Sequence, residues 1–163
     1  MSEVIVRAPE SRDEAHLRRL LFDPAVARWL RPKPLRPFTE ADPHALLVRD
    51  LLHWEEHGWG PWIVEDDGAF AGRAGLNRTH VADEPAVELA WAVLGAAQGR
   101  GLATRAAGAA VARARELELP EVVSLTLPGN AASRRVMEKA GMAFGREVVH
   151  AGLPHVLYEA RPH

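Results

Sequence analysis

Residues 87–117 constrain this chain more than any other stretch. They open in alternation, with Val87, Leu89, Trp91 and Val93 facing one way and Glu88, Ala90, Ala92 and Leu94 the other. A period of two is a strand. Gly95, Gly99 and Gly101 follow, and then a run of Ala, Leu, Arg and Glu, which are strong helix formers. A strand, a glycine loop and a helix in that order gather backbone N–H groups at the helix start. There the first turn leaves donors unpaired and the dipole favours an anion. A phosphate suits such a unit, although glycines there can also mark nothing more than a tight connection. Two phosphate fingerprints fail. Thr104 stands where G-x-G-x-x-G needs its third glycine, and no G-K-[ST] ends a P-loop.

With 163 residues, 47% of them hydrophobic, the chain is expected to fold as one domain over residues 1–163. A net charge of -2 argues against nucleic acid as a partner. No apolar run approaches the roughly 18 residues of a membrane span, and no basic-then-apolar leader is evident, so a soluble cytoplasmic protein without a membrane partner is expected. Cysteine is absent. That removes disulfides, thiolate metal sites and a cysteine-bound acyl intermediate.

In order, residues 4–8 form a short strand stopped by Pro9. Ser11-Arg12-Asp13-Glu14 reads as an S-x-x-E capping box opening a helix to Leu21, with Leu17, Leu20 and Leu21 inward. A short helix over residues 25–30 follows Asp23-Pro24. Residues 31–37 make a stiff basic connector, and Thr39 is expected to N-cap a helix that stops at Gly58. Residues 62–65 and 70–76 pair as a hairpin around Asp66-Asp67-Gly68, and residues 77–85 read as a polar, irregular link. After the long helix come a strand over 121–127, a helix from Asn130 to Gly141, and two closing strands over 142–150 and 153–159. This order does not suit a doubly wound sheet, which would alternate strictly.

The loop Gln98-Gly99-Arg100-Gly101-Leu102-Ala103 resembles the acyl-CoA pyrophosphate loop of the GNAT N-acetyltransferases, [RQ]-x-x-G-x-[GA], with Gln98, Gly101 and Ala103 at the defining places. The run N-A-A-S-R-R-V-M-E-K-A-G-M from Asn130 to Met142 is similar to that family's N-x-x-[AS]-x-x-x-x-x-K-x-G-[FM] helix. It looks most like the ribosomal-protein-alanine-acetyltransferase (RimJ/RimL-like) branch. The two motifs stand in family order, one strand apart, and the resemblance covers nearly the whole chain. It implies an α+β (mixed α/β) fold, the GNAT fold: a twisted mixed sheet of about seven strands, splayed between strands 4 and 5 and flanked by about four helices. It also implies acetyl-CoA (coenzyme A) as cosubstrate, no metal, and acetyl transfer to a primary amine, either a protein N-terminus or a small amine. Oligomeric state, a homodimer included, is not readable.

The family layout lets the pantetheine arm into the gap between the central and fifth strands, bonded by backbone groups of Trp91, Val93 and Leu94. The backbone of Gln98, Gly99, Arg100, Gly101, Leu102 and Ala103, with Thr104, takes the pyrophosphate. Arg100 or Arg105 either adds charge there or is merely solvated. The small Ala90 and Ala92 beside Glu88 leave room for a ligand, or for a closely packed helix. Asn130 is a helix N-cap, worth about 1 kcal/mol, and by its motif position a cofactor contact. Seven residues after that Asn much of the family has a tyrosine that protonates the departing thiolate; here Met137 stands instead. The branch with Ser three residues after the Asn implies the Ser133 hydroxyl as the donor, with a plain helix-surface role as the alternative and Tyr158 as a weaker candidate.

The nucleophile demands more. Deprotonating a lysine-like amine at neutral pH costs roughly 4–5 kcal/mol, an α-amino group only about 1–1.5 kcal/mol. Glu88 is the candidate base, since a carboxylate among apolar strand residues gains proton affinity; the alternative is a surface acid at a strand start. His80 and Glu84 are runners-up. Direct attack in a ternary complex fits the missing cysteine. Met137 also keeps open a catalytically inactive acyl-CoA-binding or sensor module. His53 and His57 mimic H-E-x-x-H, but the Glu after the first His and a third ligand are missing. Of the tryptophans clustered in the first half, Trp29 or Trp54 could line an amine pocket.

Overall fold

The structure, a computed structural model, describes residues 2–162. In chain order it contains β1 (Val4–Arg7), α1 (Glu14–Leu21), α2 (Pro24–Leu30), α3 (Asp42–His57), β2 (Pro61–Asp66) and β3 (Ala69–Val81). Then follow β4 (Glu84–Val93), α4 (Leu102–Glu116), β5 (Val122–Thr126), α5 (Ala131–Lys139), β6 (Ala143–His150) and β7 (Leu153–Ala160). Single turns of 3₁₀ helix precede α1 (Ser11–Asp13) and follow β4 (Gly95–Ala97). The strands form one seven-stranded sheet in the order β1-β2-β3-β4-β5-β7-β6. β4 and β5 run parallel, with Glu88 opposite Val123, because the long helix α4 carries the chain back across the sheet between them. The pairs β1–β2, β5–β7 and β6–β7 are antiparallel. The mixed α/β GNAT-type architecture expected from the sequence is what forms, with five α-helices among the described residues where about four were expected.

The chain gathers into two compact units, Met1–Ala74 with Trp91–Leu102 and Gly75–Ala90 with Ala103–His163. In the first, Leu17, Leu20 and Leu21 of α1 are buried as their spacing predicts, and α1 packs against α3. Its most buried charge is Asp13, fully enclosed. Arg7 donates to both Asp13 oxygens (2.8 and 2.9 Å), the Glu10 N–H adds a third bond (2.7 Å), and His16 Nδ1 lies at 3.0 Å. Asp50 of α3 accepts a two-pronged bond from Arg73 of β3 (2.7 and 2.8 Å). In the second unit Val81, Val123 and Leu157 pack together, and α4 buries the small stripe Ala106, Ala107, Ala110 and Ala114.

Three local expectations are corrected. The capping box lies one residue earlier than read: Glu10 supplies the N–H and Asp13 the carboxylate, so Ser11 starts the 3₁₀ turn. Thr39 does not cap α3. Its N–H and hydroxyl donate instead to the Asp42 carboxylate, and the helix begins at Asp42. Residues 77–81 are not irregular but continue β3, and β4 starts at Glu84. A two-residue turn at Ala82-Asp83, both with positive φ (49° and 67°), closes this hairpin. Asn or Gly would have announced such a turn; alanine hid it.

Candidate acyl-CoA and acyl-transfer site

In the first unit, β4 ends at Val93 beside β3. The Leu94 N–H donates to the Ala71 carbonyl (2.8 Å), and a Cβ on Gly72 would lie 2.2 Å from the Ala92 oxygen. Only glycine allows that approach. The chain then makes its 3₁₀ turn, in which Leu94 O accepts from the Ala97 N–H (2.8 Å). Asp23, which caps α2 at Ala25 (3.0 Å), also accepts the Gly95 N–H (2.8 Å) and so holds the start of the turn. Gln98 folds back to donate from Nε2 to the Val93 carbonyl (3.0 Å). Arg100 donates to Asp66 (2.8 Å) and to Ala96 O (2.9 Å).

Gly99 and Gly101 follow with φ of 81° and 75°, the left-handed region that a side chain resists. Beyond the adjoining residues, no atom of the described residues lies within 4 Å of where a Cβ on either would sit. The loop therefore turns directly into α4, whose first residues are Leu102, Ala103 and Thr104. The opening N–H groups of that helix have no acceptor within it. Space beside two glycines and a helix start fit a diphosphate. Trp91 is half-buried and Val93 buried; two of the backbone groups expected to meet pantetheine, the Val93 carbonyl and the Leu94 N–H, already have partners within the fold.

In the second unit Glu88 is half-buried on β4, opposite Val123. One residue further along β4, the Leu89 carbonyl is bonded by the Ser124 side chain (2.7 Å), and Ser124 is 2% exposed. Sequence reasoning missed Ser124. A lone serine between valine and leucine in a strand was the available signal. Asn130 is buried and caps α5 through Oδ1, which accepts the Ser133 N–H (3.2 Å), as its position predicts. Ser133 is half-buried in the first turn of α5. Met137 is 1% exposed and serves as core.

The Tyr158 hydroxyl is engaged, accepting from Arg134 Nε (3.2 Å) and lying 3.4 Å from Glu138 Oε1. His80 and Glu84 prove to be strand residues near the β3–β4 turn. The His53 ring bonds the Trp59 carbonyl (2.9 Å) and packs against His57 and Trp59. No cluster of three or more His, Cys, Asp or Glu able to hold a metal occurs among the described residues. The Trp54 indole N–H donates to Pro61 O, and Trp29 lies under the Arg28 guanidinium.

A mixed sheet with a parallel β4–β5 pair, a left-handed glycine turn after its central strand and a capped helix after the next are the features that the acetyltransferase resemblance implies. Comparison with known proteins names the family. Residues 3–143 match the acetyltransferase (GNAT) domain, and the chain belongs to that family. It is 30% identical over 165 residues to the Bacillus subtilis (strain 168) protein YkkB, covering 96% of this chain and 91% of that one. The acetyltransferase of Agrobacterium tumefaciens strain C58 superposes with a TM-score of 0.80 at 24% identity, covering 99% of this chain and 92% of the other. RimL, the ribosomal L7/L12 alpha-N-protein acetyltransferase solved with coenzyme A, superposes with a TM-score of 0.78 at 14% identity, covering 97% and 93%. These two likenesses are of fold.

Proposed function

We propose that this protein transfers an acetyl group from acetyl-CoA to a primary amine, a protein N-terminus or a small amine, by direct attack in a ternary complex. The observation that carries the reading is the Gly99–Gly101 turn, left-handed at both glycines and opening straight into α4. Its place after the central strand of a GNAT sheet is where the family's pyrophosphate loop is expected. RimL, bound to coenzyme A and acting on a protein N-terminus, is a precedent for both ligands on this fold.

Acetyl-CoA, when bound, supplies an activated thioester. This chain holds it with the backbone of Gln98, Gly99, Arg100, Gly101, Leu102 and Ala103 and with Thr104 around the diphosphate. Trp91, Val93 and Leu94 lie along the pantetheine, and Asn130 adds a polar contact. Glu88 takes the proton that the acceptor amine must lose, directly or through a water, and the Ser133 hydroxyl offers one to the departing sulfur. An α-amino acceptor asks least of Glu88, because its pKa of about 8 lies near neutrality. Holding amine and thioester together supplies the larger share of the acceleration. Cytoplasmic operation is part of the proposal, since acetyl-CoA and nascent N-termini meet there.

Free CoA release from acetyl-CoA, followed with a thiol reagent against peptides of varied N-terminus and small polyamines, tests this. The chain has no cysteine and so adds no background. Amine-dependent release is expected, with Glu88→Gln lowering kcat by about 10²–10⁴-fold. Silence across the panel with acetyl-CoA still raising Tm would favour a binding-only module. Absence of both release and a thermal shift would overturn the reading.

A further inference from the structure

Asp66, the last residue of β2, is an acid placed at the loop just read as an anion site. Its side chain is 6% exposed. Oδ2 accepts from Arg100 Nη1 at 2.8 Å, while Oδ1 is buried and has no hydrogen-bond partner among the described residues. The other arm of the same guanidinium donates to Ala96 O at 2.9 Å. One side chain thus links the hairpin end, the 3₁₀ turn and the glycine turn.

A carboxylate beside an anion-binding loop repels the anion, and a buried oxygen without a partner destabilises the fold. Neither property recommends Asp66 unless its hold on Arg100 has a use. Gly99 and Gly101 supply the need. Two glycines in a row of four residues leave the loop many conformations, and nothing in their own side chains selects one. We infer that Asp66 is a positioning residue: by fixing Arg100 against Ala96 it keeps the Gly99–Gly101 turn in the shape that receives the CoA diphosphate. The inference rests on the acetyl-CoA reading above. Arg100 then acts as a brace, and its charge is spent on Asp66.

The two ends of the brace are not equivalent. Arg100 is 55% exposed, so without Asp66 it simply hydrates; Asp66 without Arg100 is a stranded buried charge. Affinity falls in proportion to the fraction of molecules whose loop is correctly shaped. If release of the brace leaves about a tenth of them so shaped, binding weakens about tenfold.

The test is the Kd for coenzyme A by calorimetry, beside Tm, for the unaltered protein, Asp66→Asn, Arg100→Gln, the double variant and Arg100→Lys. Asp66→Asn is expected to weaken CoA about tenfold with Tm unchanged or raised, and to raise KM for acetyl-CoA while kcat holds. Arg100→Gln should weaken CoA equally and lower Tm. The double variant should be no weaker than either single one, because both remove the same brace. Arg100→Lys keeps a charge beside Asp66, so it folds, but it cannot reach both Asp66 and Ala96; an intermediate loss at normal Tm is expected. Normal CoA affinity in Asp66→Asn or in Arg100→Lys would overturn the inference. So would fully additive losses, which would make Arg100 a direct phosphate ligand. Failure of the unaltered protein to bind CoA would remove the functional reading itself, a distinct result.

Discussion

Asp13 shows what a single residue can settle in this fold. Burial pushes its carboxyl up, but bonds from Arg7, the Glu10 amide and His16, with the Arg7 charge, outweigh burial and hold it well below the usual carboxylate range. Its removal leaves Arg7, only 18% exposed, with Glu65 at 3.5 Å as its remaining counter-charge and without its two shortest bonds. Asp13→Ala should therefore cost about 3 kcal/mol or more in chemical denaturation, whereas Arg12→Ala, on an exposed neighbour, should be nearly silent. Ser124→Ala leaves the Leu89 carbonyl buried without its hydroxyl and should cost about 1–3 kcal/mol. Asn130 could be read from the sequence because a cap is a local device: the side chain serves an N–H three residues on. Ser124, Asp66 and Asp13 could not. Leu89, Arg100 and Arg7, which they bond, lie on other elements, and pattern alone does not say which acid an arginine will meet.

Among the elements, those with a strong internal period were legible. The β4–loop–α4 unit, α1 and the closing hairpin fall where alternation, helical spacing and glycine stops put them. β3 was only half legible. Its second part alternates half-buried and exposed polar residues, from Asn77 to His80, and is held as strand by its ladder rather than by apolar side chains. The glycine turn offers the element-level test. Gly101→Val requires a β-branched residue at φ 75°, so it should destabilise by about 1–2 kcal/mol and weaken coenzyme A further by filling the space beside the loop. Gly108→Ala, within α4 and with no atom near the added Cβ, should instead stabilise by about 0.5–1 kcal/mol. Denaturant melts with and without coenzyme A separate the two effects.

For the molecule as a whole, pH is the simplest probe. Burial pushes the His53 imidazole below its ordinary value; the bond to the Trp59 carbonyl opposes this and His57 adds to it. Burial does the same to His150 in the other unit, with His155 adding to it. Both are favoured neutral in the fold, so the unfolded chain takes up protons first as pH drops below about 6.5. Stability from these histidines is thus full above that value and is lost on acidification toward their lower folded values. The Asp13 contribution persists until pH falls below about 4, the unfolded carboxyl value, and then declines. A plot of Tm against pH should show two descending limbs, with the upper one flattened in His53→Gln with His150→Gln and the lower one kept.

The compact units are not successive along the chain: β3 changes unit after Ala74, β4 after Ala90 and α4 after Leu102. Breaking one peptide bond therefore releases neither unit whole, and each unit needs two separate pieces of chain. Heredity meets the same restriction. No crossover at a single point can exchange one unit for a relative's while leaving the other intact. Swapping the residues around the glycine turn between family members would require transplanting a nested segment, with both of its junctions inside regular secondary structure.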